Sequence, residues 1–318
     1  MLTFLNLRNH LKENRLSALC LFGNDSWLQR KAVATICAAY KIDIDGFSVD
    51  RLENPTYKEV ELACCTTSMF APTKLVVVEN FVFPQGKQQA ATVADFSRLV
   101  RQCDGSFCLV FLSDSISGFD KIEGVTAVDC NKLDNASIAN WIVSLGRQQG
   151  VSISDACARR IGEYCLQDMS RVATETQKLL DYGEVSLESI EMLVHKDTEY
   201  VVFNLSKTIS AKNAQAALEL YRGLIAAGEE ARSLFALLYA TYRRAYYVKT
   251  SDFTNDKLAE MLGIKTYAVE KTREIANLYK PMQLKRILDC FENADVKLKA
   301  FLDENEVMTA LIMQLVSV

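Results

Sequence analysis

The stretch SALCLFGNDSWLQRKAVATI, residues 17–36, joins an apolar run to a short polar turn and then to a helical pattern. The apolar run predicts a buried strand that ends at Gly23. The pattern after the turn predicts a helix, for which Ser26 and Gln29 supply an S-x-x-Q capping box. A glycine turn between a buried strand and a helix is the setting in which proteins bind phosphate groups.

The phosphate-binding signature G-x-x-x-x-G-K-[ST] is nevertheless incomplete after Gly23. Leu28 occupies the position of the second glycine, Gln29 that of the lysine and Arg30 that of the hydroxyl residue. The lysine normally contacts the β- and γ-phosphates, and the hydroxyl contacts Mg²⁺. Asp25 also places a negative charge where a phosphate would lie. The residues therefore favour a structural corner, and an ATPase with an unusual nucleotide site stays open as the alternative.

A second nucleotide-site candidate follows the apolar run 75–78. A P-loop ATPase carries an acidic residue there for the magnesium shell, often followed by a glutamate that orients water. This chain has Glu79 and then Asn80. Glu79 can contact a metal, but Asn80 cannot act as a base, so the pair is interpreted as a strand end.

Strand and helix patterns alternate over residues 1–134, which predicts an α/β layered domain with a parallel sheet. The predicted strands are Ala18–Phe22, Phe47–Leu52, Leu75–Glu79, Phe107–Leu112 and Val125–Asp129. The predicted helices are Ser26–Tyr40, Tyr57–Thr67 and Gln88–Gln102, with a capping box at Thr56 and Glu59 before the second.

After residue 134 only helical patterns follow. Four helices are predicted in 135–197, with Gly183 ending the third and Ser186 capping the fourth. From residue 198 onward six amphipathic segments predict a helical bundle, the last running unbroken over 282–316. Two glycines and a proline mark helix ends in this region, namely Gly228, Gly263 and Pro281.

The composition of the chain argues against several classes of function. The net charge of −4 gives no overall support for nucleic-acid binding by the chain alone. The 10 cysteines form no C-x-x-C pair, and they are interpreted as buried apolar residues of a cytoplasmic protein. No metal or cofactor is expected, because there are only 2 histidines and no catalytic constellation stands out. No apolar run is long enough to span a membrane.

Two further segments are candidate binding surfaces. In TTSMFAPTKL the predicted helix ends near Thr67, and the adjacent Met69 and Phe70 cannot both lie on one buried face. Either one packs inward while the other covers the domain, or both bind a partner. In YATYRRAYYVK, basic residues alternate with tyrosines, which fits either bundle packing or contact with DNA or another subunit. Its candidates are Arg243, Arg244 and Tyr247.

Taken in order, several segments resemble the delta-subunit family of the bacterial DNA polymerase III clamp loader. The resemblance rests on LFGNDSWLQRKA, on SMFAPTKLVVVEN, on the segment 141–183 with its E-x-x-K-L element, and on the segment 199–249. The element comprises Glu175, Lys178 and Leu179. The resemblance extends over essentially the whole chain.

This resemblance implies three domains. Residues 1–134 would form an AAA+-like α/β domain (a RecA-like parallel sheet with flanking helices) with a degenerate P-loop. Residues 135–197 would form a small helical lid, and residues 198–318 an all-α collar that assembles with other subunits. The resemblance also implies a cytoplasmic subunit that is not itself an enzyme and needs no cofactor. A helical DNA-binding protein remains the third possibility.

The resemblance further implies partners and a binding site. The partners are the sliding clamp (the beta subunit), the ATPase subunits of gamma/tau type, the delta-prime type subunit, and primed DNA. In the family a hydrophobic pair inserts into a pocket of the clamp, and the matching residues here are Met69 and Phe70, preceded by Thr67 and Ser68. Methionine departs from the family's usual leucine at the first position, a mild change in size and polarity.

Overall fold

The computed structural model describes residues 1–66, 72–264, 266–300 and 303–318. The chain forms two compact units, Met1–Ser137 and Ile138–Val318, which are described separately below. None of the helices in the described ranges is long and apolar enough to cross a membrane.

The first unit contains a six-stranded sheet in which all recorded strand pairs are parallel, in the order β1-β6-β2-β5-β4-β3. The strands are β1 (Leu2–Thr3), β2 (Ala18–Phe22), β3 (Val49–Glu53), β4 (Lys74–Glu79), β5 (Phe107–Ser113) and β6 (Val125–Asp129). β2, β4 and β5 are almost continuously buried, because helices cover both faces of a parallel sheet.

Four helices cover this sheet, namely α1 (Phe4–Glu13), α2 (Ser26–Tyr40), α3 (Tyr57–Cys65) and α4 (Lys87–Arg101). α3 and α4 pack on one face, where their apolar residues form a common core with alternate residues of the strands. Phe96, Phe111 and Phe119 lie at its centre. α1 and α2 contact each other, and α2 contacts β2.

The predicted α/β domain is confirmed, with local corrections. β1 was not among the predicted strands, since two residues are too few to carry an alternating pattern. β3 begins at Val49 and not at Phe47, whose side chain is exposed. α3 ends at Cys65, and the predicted Thr56–Glu59 cap is present, with the Glu59 carboxylate accepting from the Thr56 backbone N–H at 2.7 Å.

Only helices follow in the described part of the chain after residue 134. The first four are α5 (Asn135–Gln148), α6 (Asp155–Tyr164), α7 (Met169–Tyr182) and α8 (Leu187–Leu193). Gly183 ends α7 in a left-handed conformation, and the Ser186 hydroxyl caps α8 by accepting from Ser189 N–H, as predicted. In the E-x-x-K-L element Glu175 forms an ion pair with Lys178 at 2.5 Å and accepts from His195 N–H at 3.2 Å.

The remaining helices share one apolar core. They are α9 (Thr198–Ser210), α10 (Ala214–Ala226), α11 (Ala231–Thr250), α12 (Asn255–Leu262), α13 (Thr266–Asn277), α14 (Pro281–Lys299) and α15 (Glu304–Ser317). The long helix α11 contacts α9, α13, α14 and α15. Tyr242 of α11 is fully buried beside Phe291, and this burial raises the pKa of its hydroxyl well above the usual value.

The helix ends in this region follow the predicted signals with one exception. Gly263 ends α12 in a left-handed conformation, and Pro281 is the first residue of α14. The prediction of one unbroken helical segment over 282–316 is wrong. α14 ends at Lys299, and α15 starts anew after Asp303, whose carboxylate accepts from Glu306 N–H at 2.9 Å. An acidic N-cap can interrupt an apolar pattern that continues in phase.

Candidate functional site

The glycine turn after β2 packs directly against the end of β6. Gly23 has a φ of +140°, and a Cβ atom there would lie 2.4 Å from both the Cys130 carbonyl carbon and the Asn131 nitrogen. Gly23 N–H donates to the Ser113 carbonyl oxygen at 3.0 Å, and Cys130 N–H donates to the Phe22 carbonyl oxygen at 2.7 Å. Glycine is therefore required here for close packing of the backbone.

Gln29, at the lysine position of the phosphate signature, faces back into the protein. Its side-chain nitrogen lies within hydrogen-bonding distance of three carbonyl oxygens, those of Leu21 (3.3 Å), Gly23 (3.1 Å) and Ser113 (3.0 Å). The amide NH₂ has two hydrogens, so all of its donor capacity is used within the corner. Gln29 thus ties α2 to the ends of β2 and β5.

The predicted Ser26–Gln29 capping box is wrong, because Asp25 is the N-cap of α2. The Asp25 carboxylate accepts from the backbone N–H groups of Trp27 (3.0 Å) and Leu28 (3.1 Å). These are two of the helix-end donors that a phosphate would otherwise use. Asp25 N–H is also occupied, since it donates to the Cys130 carbonyl oxygen at 3.3 Å.

The other nucleotide-site candidates also lack a phosphate-binding arrangement. Leu28 and Arg30 both belong to α2. The side chain of Leu28 is fully buried, and that of Arg30 is exposed. Glu79 lies at the end of β4 and forms an ion pair with Arg51 of β3 at 3.8 Å. Asn80 follows it in a left-handed conformation with a φ of +56°. The geometry of 79–80 is that of a strand end.

The predicted clamp-binding residues Thr67, Ser68, Met69 and Phe70 lie outside the described residues. The chain is described up to Thr66 and again from Pro72, and these two ends lie at the edge of the sheet where the parallel strands begin. This edge is opposite to the Gly23 corner, which follows the end of β2.

Lys74, the first residue of β4, is buried beneath this edge and was not singled out from the sequence. Its ammonium group forms an ion pair with the Asp50 carboxylate at 2.6 Å. It also donates to the carbonyl oxygens of Ala63 (3.0 Å) and Thr66 (3.4 Å) at the end of α3. The signal in the sequence was a lysine at the start of the apolar run KLVVVE.

Thr73 is fixed next to it by a second network. The Thr73 hydroxyl donates to the Gly105 carbonyl oxygen at 2.9 Å. The Arg15 guanidinium donates to the Thr73 hydroxyl oxygen, and it donates to the same Gly105 carbonyl at 3.2 Å. Both sides of the segment 67–71 are thus anchored to the starts of neighbouring strands.

On α11 the structure separates the two predicted arginines. Arg243 is exposed, and its guanidinium carbon lies 5.7 Å from the centre of the Tyr239 ring. Tyr247, one turn further along the helix, is half exposed. These three residues, spaced four apart, share one face of the helix. Arg244 instead donates to the Ala240 carbonyl oxygen of its own helix at 3.3 Å.

The cysteines behave as apolar residues. All ten are free thiols, seven of them buried. Burial raises the pKa of Cys20, Cys64 and Cys130 to about 12. Within the described ranges no group of three or more His, Cys, Asp or Glu side chains could hold a metal ion.

The fold and the corner together define an α/β protein with a parallel sheet, in which the glycine turn after β2 packs against the end of β6 and lacks a complete phosphate-binding signature. Two family models match the chain: "DNA polymerase III, delta subunit" over residues 19–128, and "DNA polymerase III delta subunit, C-terminal domain" over residues 199–315. The chain belongs to the DNA polymerase III delta subunit family.

Two similar proteins come from Bacillus subtilis. The DNA polymerase III subunit delta of strain 168 is 20% identical over 316 residues, covering 92% of this chain and 91% of the relative. The solved structure of the DNA clamp loader delta protein has a TM-score of 0.80 with 17% identity. This alignment covers 99% of this chain and 100% of the other, so the two share their fold throughout.

Proposed function

We propose that this chain is a clamp-loader subunit that binds the sliding clamp and opens one of its interfaces without hydrolysing ATP. Membership of the delta family supports a role in the DNA polymerase III clamp loader. The name of the B. subtilis structure, a DNA clamp loader delta protein, supports the same assignment.

The closed corner at Gly23 is the main observation that supports a subunit without ATP hydrolysis. The backbone N–H groups of Trp27 and Leu28 bond to the Asp25 carboxylate, and those of Gly23 and Asp25 bond to the carbonyl oxygens of Ser113 and Cys130. Gln29 directs its amide onto backbone carbonyls, whereas a lysine there would reach toward phosphates. A nucleotide would have to displace this whole set of hydrogen bonds, at about 1 kcal/mol or more for each.

The clamp is bound through Met69 and Phe70 in this proposal, with Thr67 and Ser68 beside them. Two large apolar side chains can supply most of the free energy of an interface when they fill a pocket on the partner. Opening then requires only that the chain bind the open clamp more tightly than the closed clamp. No chemical step on this chain is needed.

The rest of the chain serves assembly. Residues 135–197 act as the lid, and residues 198–318 as the collar that joins subunits of gamma/tau and delta-prime type. ATP is bound and hydrolysed in those partners, and the complex acts on primed DNA in the cytoplasm. The exposed face of α11 formed by Tyr239, Arg243 and Tyr247 contacts that DNA, since stacking rings beside a cation suit nucleic acid.

The test is equilibrium binding of the full chain to its own sliding clamp. The double variant Met69→Ala, Phe70→Ala should lose at least about a hundredfold in affinity, because each buried anchor contributes roughly 2 kcal/mol or more. Val82→Ala is the control, since Val82 is an exposed apolar residue after the end of β4, at the opposite sheet edge. Unchanged binding by the folded double variant would refute the proposed site.

A further inference from the structure

Lys74 is the one charged residue among the buried side chains of the described chain, with 5% of its surface exposed. Burying an ammonium group is costly unless it is paired and its hydrogen bonds are satisfied. Methionine or leucine would fill the same space at the start of an apolar strand. The position of the charge therefore needs an explanation beyond packing.

The ammonium group has three N–H donors, and the structure provides three acceptors. One is the Asp50 carboxylate on β3, which shares a sheet face with Lys74 because Asp50 lies opposite Val76 in the register. The other two are the carbonyl oxygens of Ala63 and Thr66. Lys74 thus links β3, β4 and α3 at one point.

The two carbonyls belong to the end of α3, where helix geometry leaves carbonyl groups without an intrahelical partner. This end also carries the negative pole of the helix dipole, which a cation stabilises. Lys74 therefore caps α3 from below and fixes the point at which the chain leaves the helix. Thr66 is the last described residue before the segment 67–71.

On the other side of that segment, the described residues begin with Pro72, and the next two residues are held by hydrogen bonds. The Thr73 hydroxyl is held by the Gly105 carbonyl and the Arg15 guanidinium. The backbone N–H of Lys74 donates to the Ser106 carbonyl oxygen at 2.8 Å. The segment 67–71 is thus joined to the domain at two anchored points.

We propose that Lys74 is a positioning residue for clamp binding: its ammonium group, held by Asp50, sets the end of α3 from which the clamp-binding segment starts. This rests on the proposed function, in which Met69 and Phe70 contact the clamp. Fixing the start of the segment before binding lowers the entropy lost when it enters the clamp pocket. Lys74 itself does not touch the clamp.

The test compares four variants of the full chain in clamp binding and in urea unfolding. Lys74→Met keeps the volume but removes the charge, and Lys74→Arg keeps a charged donor. Asp50→Asn weakens the ion pair with Lys74. Because 37% of the Asp50 side chain is exposed, this change should leave the chain folded. Val110→Ala, at a fully buried site of β5 away from α3, is a control for general loss of stability.

The expected result is a loss of at least tenfold in clamp affinity for Lys74→Met and a severalfold loss for Asp50→Asn. Lys74→Arg should bind the clamp nearly as tightly as the unmodified chain. Val110→Ala should bind as tightly as the unmodified chain even though it loses as much stability as Lys74→Met. Unchanged binding by folded Lys74→Met or by Asp50→Asn overturns the inference, as does an equal loss in Val110→Ala.

A separate arm distinguishes this inference from the proposed function. If Met69→Ala with Phe70→Ala abolishes clamp binding while Lys74→Met and Asp50→Asn do not affect it, only the inference fails. If the double variant still binds the clamp normally, the proposed site itself is wrong, and the role of Lys74 falls with it.

Discussion

Gln29 donates its side-chain amide to the carbonyl oxygen of Ser113 at 3.0 Å and so ties the first turn of α2 to the end of β5. This bond closes the corner that a nucleotide would occupy in a phosphate-binding relative of the fold. A glycine turn and a helix are present here, but their polar groups bond to neighbouring groups of the chain.

Replacing Gln29 should therefore lower stability and leave clamp binding intact. Gln29→Ala removes the donor from partly buried carbonyls and should lower the free energy of unfolding by about 1–3 kcal/mol. Gln29→Glu should cost more, because a carboxylate would face carbonyl oxygens. Chemical denaturation measures both changes. Equal stability of the Glu and Ala variants would contradict the bonding described for this corner.

ATP should not stabilise the chain. A ligand present at a hundred times its dissociation constant raises the free energy of unfolding by about 2.7 kcal/mol, which a thermal melt detects easily. With the Trp27 and Leu28 N–H groups already bonded to Asp25, millimolar Mg·ATP should leave the melting temperature unchanged. A rise that is abolished by Arg30→Ala or Glu79→Gln would instead support the ATPase alternative.

Glu191 should stabilise the second unit at neutral pH, and this stabilisation should be lost in acid. Its carboxylate forms an ion pair with Lys196 at 2.6 Å and accepts from the Tyr164 hydroxyl, and these bonds hold its pKa below the ordinary value. A lowered pKa means that the stabilisation is complete at neutral pH and is lost as the pH falls through the folded-state pKa.

The difference in unfolding free energy between the unmodified chain and Glu191→Gln should be less than about 1 kcal/mol near neutral pH, since water screens this half-exposed pair. It should become smaller at an acidic pH, as the carboxylate takes up a proton in the folded chain. Urea unfolding at the two pH values measures it, with the exposed Glu188→Gln on the same helix as control. A difference that grows in acid would show that the sign is wrong.

The exposed face of α11 should contribute to DNA binding. Arg243→Ala should weaken binding of the full chain to primed DNA and lower the slope of log affinity against log salt by about 1, as expected for one lost phosphate contact. Tyr247→Ala should lower affinity with less change in slope, because it removes stacking. Arg222→Ala, an exposed arginine on α10, is the charge-matched control. If all three variants behave alike, α11 has no specific role in DNA contact.

Much of this fold is predictable because its signals are local. Successive apolar residues mark β2, β4 and β5, and Gly183, Gly263 and Pro281 mark helix ends through their backbone preferences. The parallel sheet follows from the alternation of strands with helices. The two-residue strand β1 has no such signal, since pairing with β6 alone defines it.

The site is less predictable because its residues act over long sequence distances. Ser26 and Asp25 are both good N-caps, and Asp25 takes this position while Gln29, the capping-box partner of Ser26, bonds to Ser113, 84 positions along the chain. The partners of Lys74 lie on β3 and at the end of α3, 24 and 8 to 11 positions away. Only the folded chain brings these groups together.

Opening of the sliding clamp by this chain can be measured with an optical reporter placed on the clamp. The chain's own clamp would carry a pair of self-quenching dyes across one subunit interface, and the full chain would be added without nucleotide. We expect an increase in fluorescence with the unmodified chain and with Val82→Ala, and none with the double variant Met69→Ala, Phe70→Ala. An interface that stays closed, or that opens equally with the double variant, would contradict this expectation.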